Sequence, residues 1–236
     1  MNNDELYYSA PEFAEQAIDM SDAMLRTGAI DAVAIDSLAM LVPSEEIEKS
    51  TVDWQQGLQA RLINKAIRKW NGALNFCGKK FGRRPTLILI NQLRMKIGIH
   101  FGNPEVKPGG RGQDYVTSVD IKLWNGKTEV DDKSNRPLLA TKKFKVDKNK
   151  VYKSHMSGEF TLVLDNIENK KLGDLMEEEF VYNEMDNLGL LQHEKKGGRI
   201  VLIDKQRLNG KGQVLKYWIE NPKSFDKAKK LLMEAF

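Results

Sequence analysis

Two apolar segments, AVAIDS at residues 32–37 and TLILINQ at residues 86–92, decide the fold class. Neither segment alternates apolar with polar residues, and each turns polar at its carboxyl end, which is typical of strands buried on both faces of a parallel sheet. Between them, from Gly57 to about Leu74, apolar residues recur three or four positions apart with basic residues on the other side, and this spacing predicts an amphipathic helix. The order strand, helix, strand indicates a right-handed βαβ unit and therefore an α/β fold.

The segments around this unit carry start and stop signals. Ser9 and Glu12 form Ser-x-x-Glu, the pattern of a capping box, which predicts a first helix that ends at Gly28. Residues 43–54 are polar and acidic and are predicted to form a loop. Residues 78–84, GKKFGRR, form a basic insert that leads into the second strand.

Downstream of residue 113 the pattern changes to shorter elements. Three strands are predicted, with Asn125-Gly126 as a hairpin turn, so that the sheet continues as hairpins over residues 118–124, 138–146 and 159–164. After Lys170 we predict a helix at residues 175–188, a short strand at residues 199–203, a turn at Asn209-Gly210 and two helices separated by Pro222. We therefore predict two domains, residues 1–168 and a smaller one at residues 169–236.

The composition excludes several classes of protein. The 236 residues include 37 Lys and Arg against 33 Asp and Glu, a mild net charge of +4, and 41% are hydrophobic, so the chain can bury a core. One cysteine, Cys77, excludes an internal disulfide framework, and three scattered histidines provide no ligand cluster. No apolar run reaches membrane-spanning length and the start of the chain is polar, so we expect a cytoplasmic protein without a membrane partner.

The polar strand ends are candidates for phosphate chemistry. Asp36 ends the first strand, where nucleotide-binding α/β proteins hold Mg²⁺ through water, although a carboxylate there can equally well cap the next turn. Gln92 ends the second strand and opens a glycine-rich basic segment, residues 94–113. It is either a phosphate sensor that orders this segment or an ordinary polar strand end.

The segment of residues 94–113 combines cations, flexible backbone and one aromatic ring, Phe101. These features suit a loop that follows single-stranded nucleic acid, whereas the alternative is a solvated surface loop. A lysine cluster between Lys142 and Lys153 is either a second candidate for phosphate contact or a solvent-exposed strand face.

Five motifs together resemble the bacterial and phage RecA recombinase family: IDS at residues 35–37, GLQAR at 57–61, INQLRMKIG at 90–98, FGNPE at 101–105 and the Gly109-Gly110 pair. The likeness covers about residues 9–150 and extends more faintly into the last fifty residues. It implies a RecA-like P-loop ATPase core, with a mostly parallel central sheet flanked by helices, and a small α+β C-terminal domain.

The resemblance also implies roles for single residues. Asp36 would be the Walker B carboxylate that holds Mg²⁺ through water together with Ser37, and Gln92 would read the γ-phosphate of ATP. Lys148 and Lys150 would reach the ATP of a neighbouring subunit. Residues 48–57 would form a first DNA-binding loop and residues 94–113 a second one. The residues near DNA would be Arg61, Arg94, Lys96, Gly98, Phe101, Gly109, Gly110 and Arg111.

The implied function is homologous recombination and DNA repair. A protein of this family binds single-stranded DNA in an ATP-dependent helical filament, pairs it with homologous duplex DNA and exchanges strands. The resemblance thus implies ATP and Mg²⁺ as cofactors, both forms of DNA and further copies of the chain as partners, DNA-dependent ATPase activity, and ATP-dependent sensing of DNA damage in the SOS response.

The chain also departs from the family pattern. No GxxxxGK[ST] phosphate-binding loop occurs, the catalytic glutamate is expected upstream of the matched segment, and Arg111 stands where the family commonly has asparagine. A sheet without its P-loop strand and helix is expected to expose an apolar face and edge. Three readings stay open: a recombinase fragment that needs a separate P-loop half, an ATP-independent DNA-binding or filament-interaction module, and a non-functional remnant.

Overall fold

A computed structural model describes residues 5–48, 57–95, 98, 102, 104–167, 170–195 and 199–235. Backbone contacts divide the chain into two compact units, Met1–Thr117 and Ser118–Phe236, and each unit is described by itself. The sequence-based boundary at residue 168 falls inside the second unit and stays a prediction.

The first unit is built around one parallel strand pair. Its elements are α1 (Ala14–Thr27), β1 (Ala32–Ile35), a 3-10 turn (Leu38–Met40), α2 (Ser44–Glu48), α3 (Leu58–Phe81), β2 (Thr86–Leu89), β3 (Arg94–Met95), β4 (Glu105–Val106) and α4 (Gly112–Val116). Strands β1 and β2 run parallel with Ile35 opposite Leu89, and β3 and β4 form a two-residue antiparallel ladder. The predicted order strand, helix, strand is confirmed.

Helices α1 and α3 supply the core of this unit. Their buried residues include Ile18, Leu25, Ile63 and Trp70, and the side chains of Val33, Ile35, Leu87 and Leu89 pack against them. The indole Nε1 of Trp70 donates a hydrogen bond to the Ser21 hydroxyl at 2.8 Å, which satisfies a buried polar group between the helices. The core therefore depends on the contact between α1 and α3.

The prediction that both strands are buried on both faces is wrong for the described residues of this chain. Alternate side chains face away from the helices, and Ile88 and Ile90 are 48% and 42% exposed. Helices α1 and α3 cover only one face of the strand pair. The apolar side chains on the other face, which the sequence pattern predicted to be buried, are therefore exposed.

Three predicted boundaries of helices and loops need correction. Helix α1 begins after Phe13, which makes no side-chain cap; the Glu12 N–H donates to Gln16 Oε1 at 3.0 Å in place of a Ser9 capping box. Helix α3 extends to Phe81 and takes up half of the basic insert, because lysines in a last turn are favourable at the negative end of the helix dipole. Residues 44–48 form a short helix instead of a loop.

The second unit has two antiparallel sheets and three helices among its described residues. Strands β5 (Val119–Val130), β6 (Pro137–Asn149) and β7 (Ser157–Val163) form one sheet in that order. Then follow α5 (Glu177–Asn187), β8 (Gln192–His193), β9 (Ile200–Ile203), β10 (Gln206–Asn209), α6 (Gly210–Glu220) and α7 (Pro222–Glu234). A separate core forms around the fully buried Trp218, between α5, α6, α7 and β9.

Both predicted Asn-Gly turns lie elsewhere than expected. Asn125-Gly126 is inside β5, at a register shift against β6, because a bulge also accommodates glycine. The turn after β5 is at residues 131–136, where the Asp131 carboxylate accepts N–H groups of Lys133 and Ser134, and these hydrogen bonds lower the pKa of Asp131. The β9–β10 turn is at residues 204–205, and Gly210 begins α6.

The expectation that the sheet of β1 and β2 continues into the hairpins is also not met. No strand in the described ranges pairs with β5 on its outer side or adds to the β1–β2 pair, so the ladders are separate. The mixture of helices and strands nevertheless agrees with an α/β protein. No helix in these ranges is both long enough and apolar enough to cross a membrane.

Candidate nucleotide and nucleic-acid site

The carboxyl ends of β1 and β2 lie side by side. The Ile90 N–H donates to the Ile35 carbonyl at 3.0 Å, and the Leu38 N–H donates to the Ile90 carbonyl at 2.9 Å. These bonds continue the pairing beyond the strands, so that Asp36 and Gln92 emerge at the same end of the sheet. Both side chains are exposed, whereas Ser37 is buried. The site that the sequence predicts at the two strand ends is thus brought together.

The donor set at this end suits a magnesium ion that keeps most of its water. Asp36 offers one exposed carboxylate, and Ser37 beside it offers a hydroxyl. Among the described residues no group of three or more His, Cys, Asp or Glu is placed to hold a metal ion. Because Mg²⁺ commonly binds through one or two protein oxygens, water and phosphate oxygens, the exposed Asp36 carboxylate fits such an ion, whereas Ser37 beside it is buried.

Two side-chain amides, the half-buried Asn91 and the buried Gln113, fix the end of the glycine-rich segment to β2. Asn91 Nδ2 donates to the Pro108 carbonyl at 3.0 Å and to Gln113 Oε1 at 2.9 Å. Gln113 Nε2 donates to the carbonyls of Pro108 at 2.7 Å and Gly110 at 3.0 Å, and Gln113 is only 5% exposed. We call Asn91 and Gln113 the amide clasp. It holds residues 108–113 beside the strand end that carries Gln92.

The same stretch of backbone lies directly on α3. Gly109 has a φ of +89°, and a Cβ added there would lie 2.7 Å from Ile63 Cδ1. A Cβ on Gly112 would overlap Asn64 Oδ1. Glycine is therefore required at Gly109, where the positive φ and the contact with Ile63 both exclude a side chain, whereas a Cβ at Gly112 would displace the end of the Asn64 side chain. We call residues 109–112, which lie against α3, the glycine seat.

The first turn of α3 completes the surroundings of the site. Gln59 Nε2 donates to the carbonyls of Ala39 at 3.0 Å and Leu41 at 3.1 Å, which ties the helix to the chain just after Asp36. Arg61, in the same turn, is exposed. The N-terminal part of α3 therefore contacts both the chain after β1 and the seat of residues 109–112.

The residues predicted to contact DNA lie partly around this end. Arg94 is exposed on β3, Gly98 and Gly110 have positive φ and are exposed, and Arg111 is exposed just before α4. Lys96, Phe101 and residues 49–56 of the first predicted loop lie outside the described residues. Gly109 and Gly110 lie against the first turns of α3, which carry Arg61, and Arg94 pairs with Val106 in the β3–β4 ladder. Their contact with DNA stays a prediction.

Lys148 and Lys150 belong to the second unit. Lys148 is opposite Asp120 in the β5–β6 ladder, and the Lys150 N–H donates to the Ser118 carbonyl at 2.9 Å. Both lysines are engaged in interactions within the chain. Their predicted role at a neighbour's ATP is untested by this geometry.

Sequence reasoning missed the amide clasp and the contacts of Gln59 and Asn64. The partners in the clasp are 22 residues apart, and the intervening segment has no periodicity that could align them. The available signal was weak: an amide at a strand end, and a glutamine just beyond a glycine cluster. The sequence did locate the end of β2, where Asn91 lies.

Comparison with known proteins identifies the relatives of this chain. The RecA protein of Aquifex aeolicus is 35% identical over 236 aligned residues, which cover 98% of this chain and 62% of that protein. The RecA proteins of Halalkalibacterium halodurans and Bacillus subtilis are 43% and 42% identical over 152 and 151 residues, covering 64% of this chain and 41% of theirs. The chain thus spans between about two fifths and three fifths of these relatives.

A family model provides the second comparison. The model of the RecA N-terminal domain matches residues 1–167, which include α1 to α4 and the strands from β1 to β7. The matched region contains the paired strand ends, the amide clasp and the glycine seat. The chain belongs to the RecA family.

Proposed function

We propose that this chain acts in homologous recombination and DNA repair by binding single-stranded DNA through residues 94–113. The observation that supports this most strongly is the anchoring of that segment: the amide clasp and the glycine seat hold its carboxyl end between β2 and α3. A basic segment fixed at its ends can present cations to phosphates with a smaller loss of conformational entropy than a free loop.

The charged groups around the anchor suit a nucleic-acid backbone. Arg94 and Arg111 are exposed at the two ends of the segment, and Arg61 is exposed on the first turn of α3. Arginine forms charge-assisted hydrogen bonds with phosphate, and glycines such as Gly98 and Gly110 let the backbone come close to it. We propose that Lys96 and Phe101 add a further cation and a ring that stacks against bases.

We propose ATP and Mg²⁺ as the cofactors of the strand ends. Asp36 and Ser37 would hold the water ligands of Mg²⁺, and the Gln92 amide would donate to the terminal phosphate. Bound nucleotide supplies a phosphate charge that is present before hydrolysis and gone after it. Since Asn91 follows the same strand and holds residues 108–113, a movement of Gln92 would pass directly into the DNA-binding segment.

The open face of the β1–β2 pair points to a missing partner layer. Ile88 and Ile90 are exposed there. We propose that a P-loop strand and helix of the family cover this face, either from the same polypeptide or from a separately made one. The DNA-dependent ATPase activity of the family would then require that segment.

Within this proposal the assembled protein forms a helical filament in the cytoplasm. Lys148 and Lys150 would reach the nucleotide of the adjacent copy, and the unit that contains residues 169–236 would admit duplex DNA for pairing and strand exchange. The filament would also act as the DNA-damage sensor of the SOS response.

The test is fluorescence anisotropy of a labelled oligo-dT at several salt concentrations. We expect salt-sensitive binding by the native chain, and a log-log salt slope shallower by about 1.4 for Arg94→Gln/Arg111→Gln, since each phosphate contact on a single strand contributes about 0.7. The control Lys127→Gln/Lys133→Gln removes the same charge from exposed positions on β5 and in the following turn and should keep the native slope. Equal slopes in all three proteins would rule out residues 94–113 as the binding segment.

The same assay tests the dependence on nucleotide. With a non-hydrolysable ATP analogue and Mg²⁺, we expect binding to strengthen only when a P-loop polypeptide of the family is added. Binding that is indifferent to nucleotide even in that mixture would support the ATP-independent DNA-binding module, a reading that the comparisons do not favour.

A further inference from the structure

A second cluster of cations lies at the opposite end of the β1–β2 pair, away from Asp36 and Gln92. It is formed where α1 and α3 end and the strands begin, and the Thr86 N–H donates to the Asp31 carbonyl there at 2.8 Å. We define the basic-aromatic patch as Arg26, Phe76, Lys79, Lys80, Phe81 and Arg84. It includes most of the basic insert, which none of the functions proposed above uses.

The positive charge of the patch is not balanced locally. Asp22 pairs with Arg26 at 3.0 Å, and Asp31 pairs with the neighbouring Arg83. Lys79, Lys80 and Arg84 have no carboxylate within ion-pair distance in the parts of the chain that the structure describes. The patch therefore carries an excess of positive charge, although the whole chain has a net charge of only +4.

Two aromatic rings contact two cations of the patch, Lys80 and Arg26. Phe76 and Phe81 meet edge to face with centroids 6.2 Å apart. The Lys80 ammonium lies 5.3 Å and 5.2 Å from the two ring centres, and the Arg26 guanidinium lies 5.6 Å from that of Phe76. The rings are 37% and 39% exposed, so each has a free portion beside a cation. Cation–π contacts limit the mobility of these side chains.

The backbone under the patch is shaped for this arrangement. Gly28 has a φ of +74°, and a Cβ there would lie 2.5 Å from the Phe81 ring. A Cβ on Gly78 would lie 2.8 Å from Arg84 Nε. Beneath them, the buried Cys77 thiol donates to the Leu25 carbonyl at 2.9 Å and joins the two helices. The patch is therefore part of the packed structure of the unit.

We propose that the basic-aromatic patch is a second nucleic-acid contact, which binds the sugar-phosphate backbone of DNA. Unbalanced cations beside exposed ring portions are the combination that binds strands without regard to sequence. Lys79 is 18 residues from Arg61 along α3, which at 1.5 Å per residue is about 27 Å. A DNA strand held by residues 94–113 therefore meets the patch as a separate site. The inference rests on the proposed function, because it assumes a DNA-binding protein.

The test compares salt slopes for oligo-dT and for a duplex of equal length. Lys79→Gln/Arg84→Gln removes two charges and keeps most of each aliphatic stem. We expect the log-log salt slope of DNA binding by this variant to be shallower than the native one, by about 1.4 if the patch holds a single strand and by about 1.8 if it holds a duplex. Lys127→Gln/Lys133→Gln is the matched control with an unchanged slope, and circular dichroism melts show whether each variant is folded.

The outcomes separate this inference from the proposed function. Suppose that Lys79→Gln/Arg84→Gln keeps the native salt slope with both DNAs, while Arg94→Gln/Arg111→Gln has a shallower one. This result would overturn DNA binding by the patch and leave the proposed function in place. The reverse pattern would support the patch and overturn the role of residues 94–113. Native slopes with DNA, together with weaker binding of poly-glutamate by the patch variant, would assign the patch to an acidic protein partner and overturn the proposal.

Discussion

Trp70→Ala is expected to lower the free energy of unfolding by about 3–5 kcal/mol, the usual cost of removing a large aromatic side chain from a core. Trp70 is fully buried between α1 and α3, and its indole donates to the Ser21 hydroxyl. The substitution leaves a cavity between the two helices and removes one buried hydrogen bond. Urea unfolding followed by far-ultraviolet circular dichroism measures the change.

The matched control for this prediction is Trp124→Ala. Trp124 is on the edge strand β5 and is 42% exposed, so the same chemical change removes less buried surface. We expect a loss of no more than about 1 kcal/mol. Equal losses for the two substitutions would show that α1 and α3 do not form the core described for the first unit.

Gly109→Ala is expected to destabilise the first unit by about 2–4 kcal/mol and to weaken DNA binding. Alanine is strained at a φ of +89°, and its Cβ would also press on Ile63 Cδ1. Because the amide clasp holds the same backbone, residues 108–113 cannot move away from α3 without breaking hydrogen bonds to Asn91 and Gln113. Urea unfolding and the oligo-dT assay measure the two effects.

Gly173→Ala separates strain from steric overlap. Gly173 has a φ of +90°, but a Cβ there meets no atom within 4 Å. In this control the substitution introduces backbone strain without a steric clash. We therefore expect the free energy of unfolding to fall by about 1 kcal/mol and DNA binding to be unchanged. If Gly109→Ala cost no more than Gly173→Ala, the glycine seat on α3 would not be a required contact.

The strands and their polar ends could be predicted because they depend on local composition. The run AVAIDS is apolar along its length and ends in a carboxylate, which predicts a strand with an acidic end whichever element packs on it. The same run does not tell which elements pack on each face of the strand. Here α1 and α3 pack on only one face. A sequence pattern reports that a side chain is suited to burial, whereas the structure reports which residues bury it.

The details that failed depend on contacts distant in sequence. Asn125-Gly126 is a strong short turn signal, yet pairing with β6 continues past it and places it in a bulge. The helix that was predicted to end at about Leu74 continues to Phe81 as α3, and the Arg84 side chain packs over Gly78. The amide clasp likewise joins residues from two segments that only the fold brings together.

The measurement that tests the central claim most directly is hydrogen–deuterium exchange of the native chain with and without oligo-dT. We predict that the backbone amides of residues 94–113 become protected when DNA is added, together with those of the first turn of α3 around Arg61. Amides of the β5–β6 turn at residues 131–136 should be unchanged. DNA binding that leaves the exchange of residues 94–113 unaltered would contradict the assignment of this segment as the DNA-binding loop.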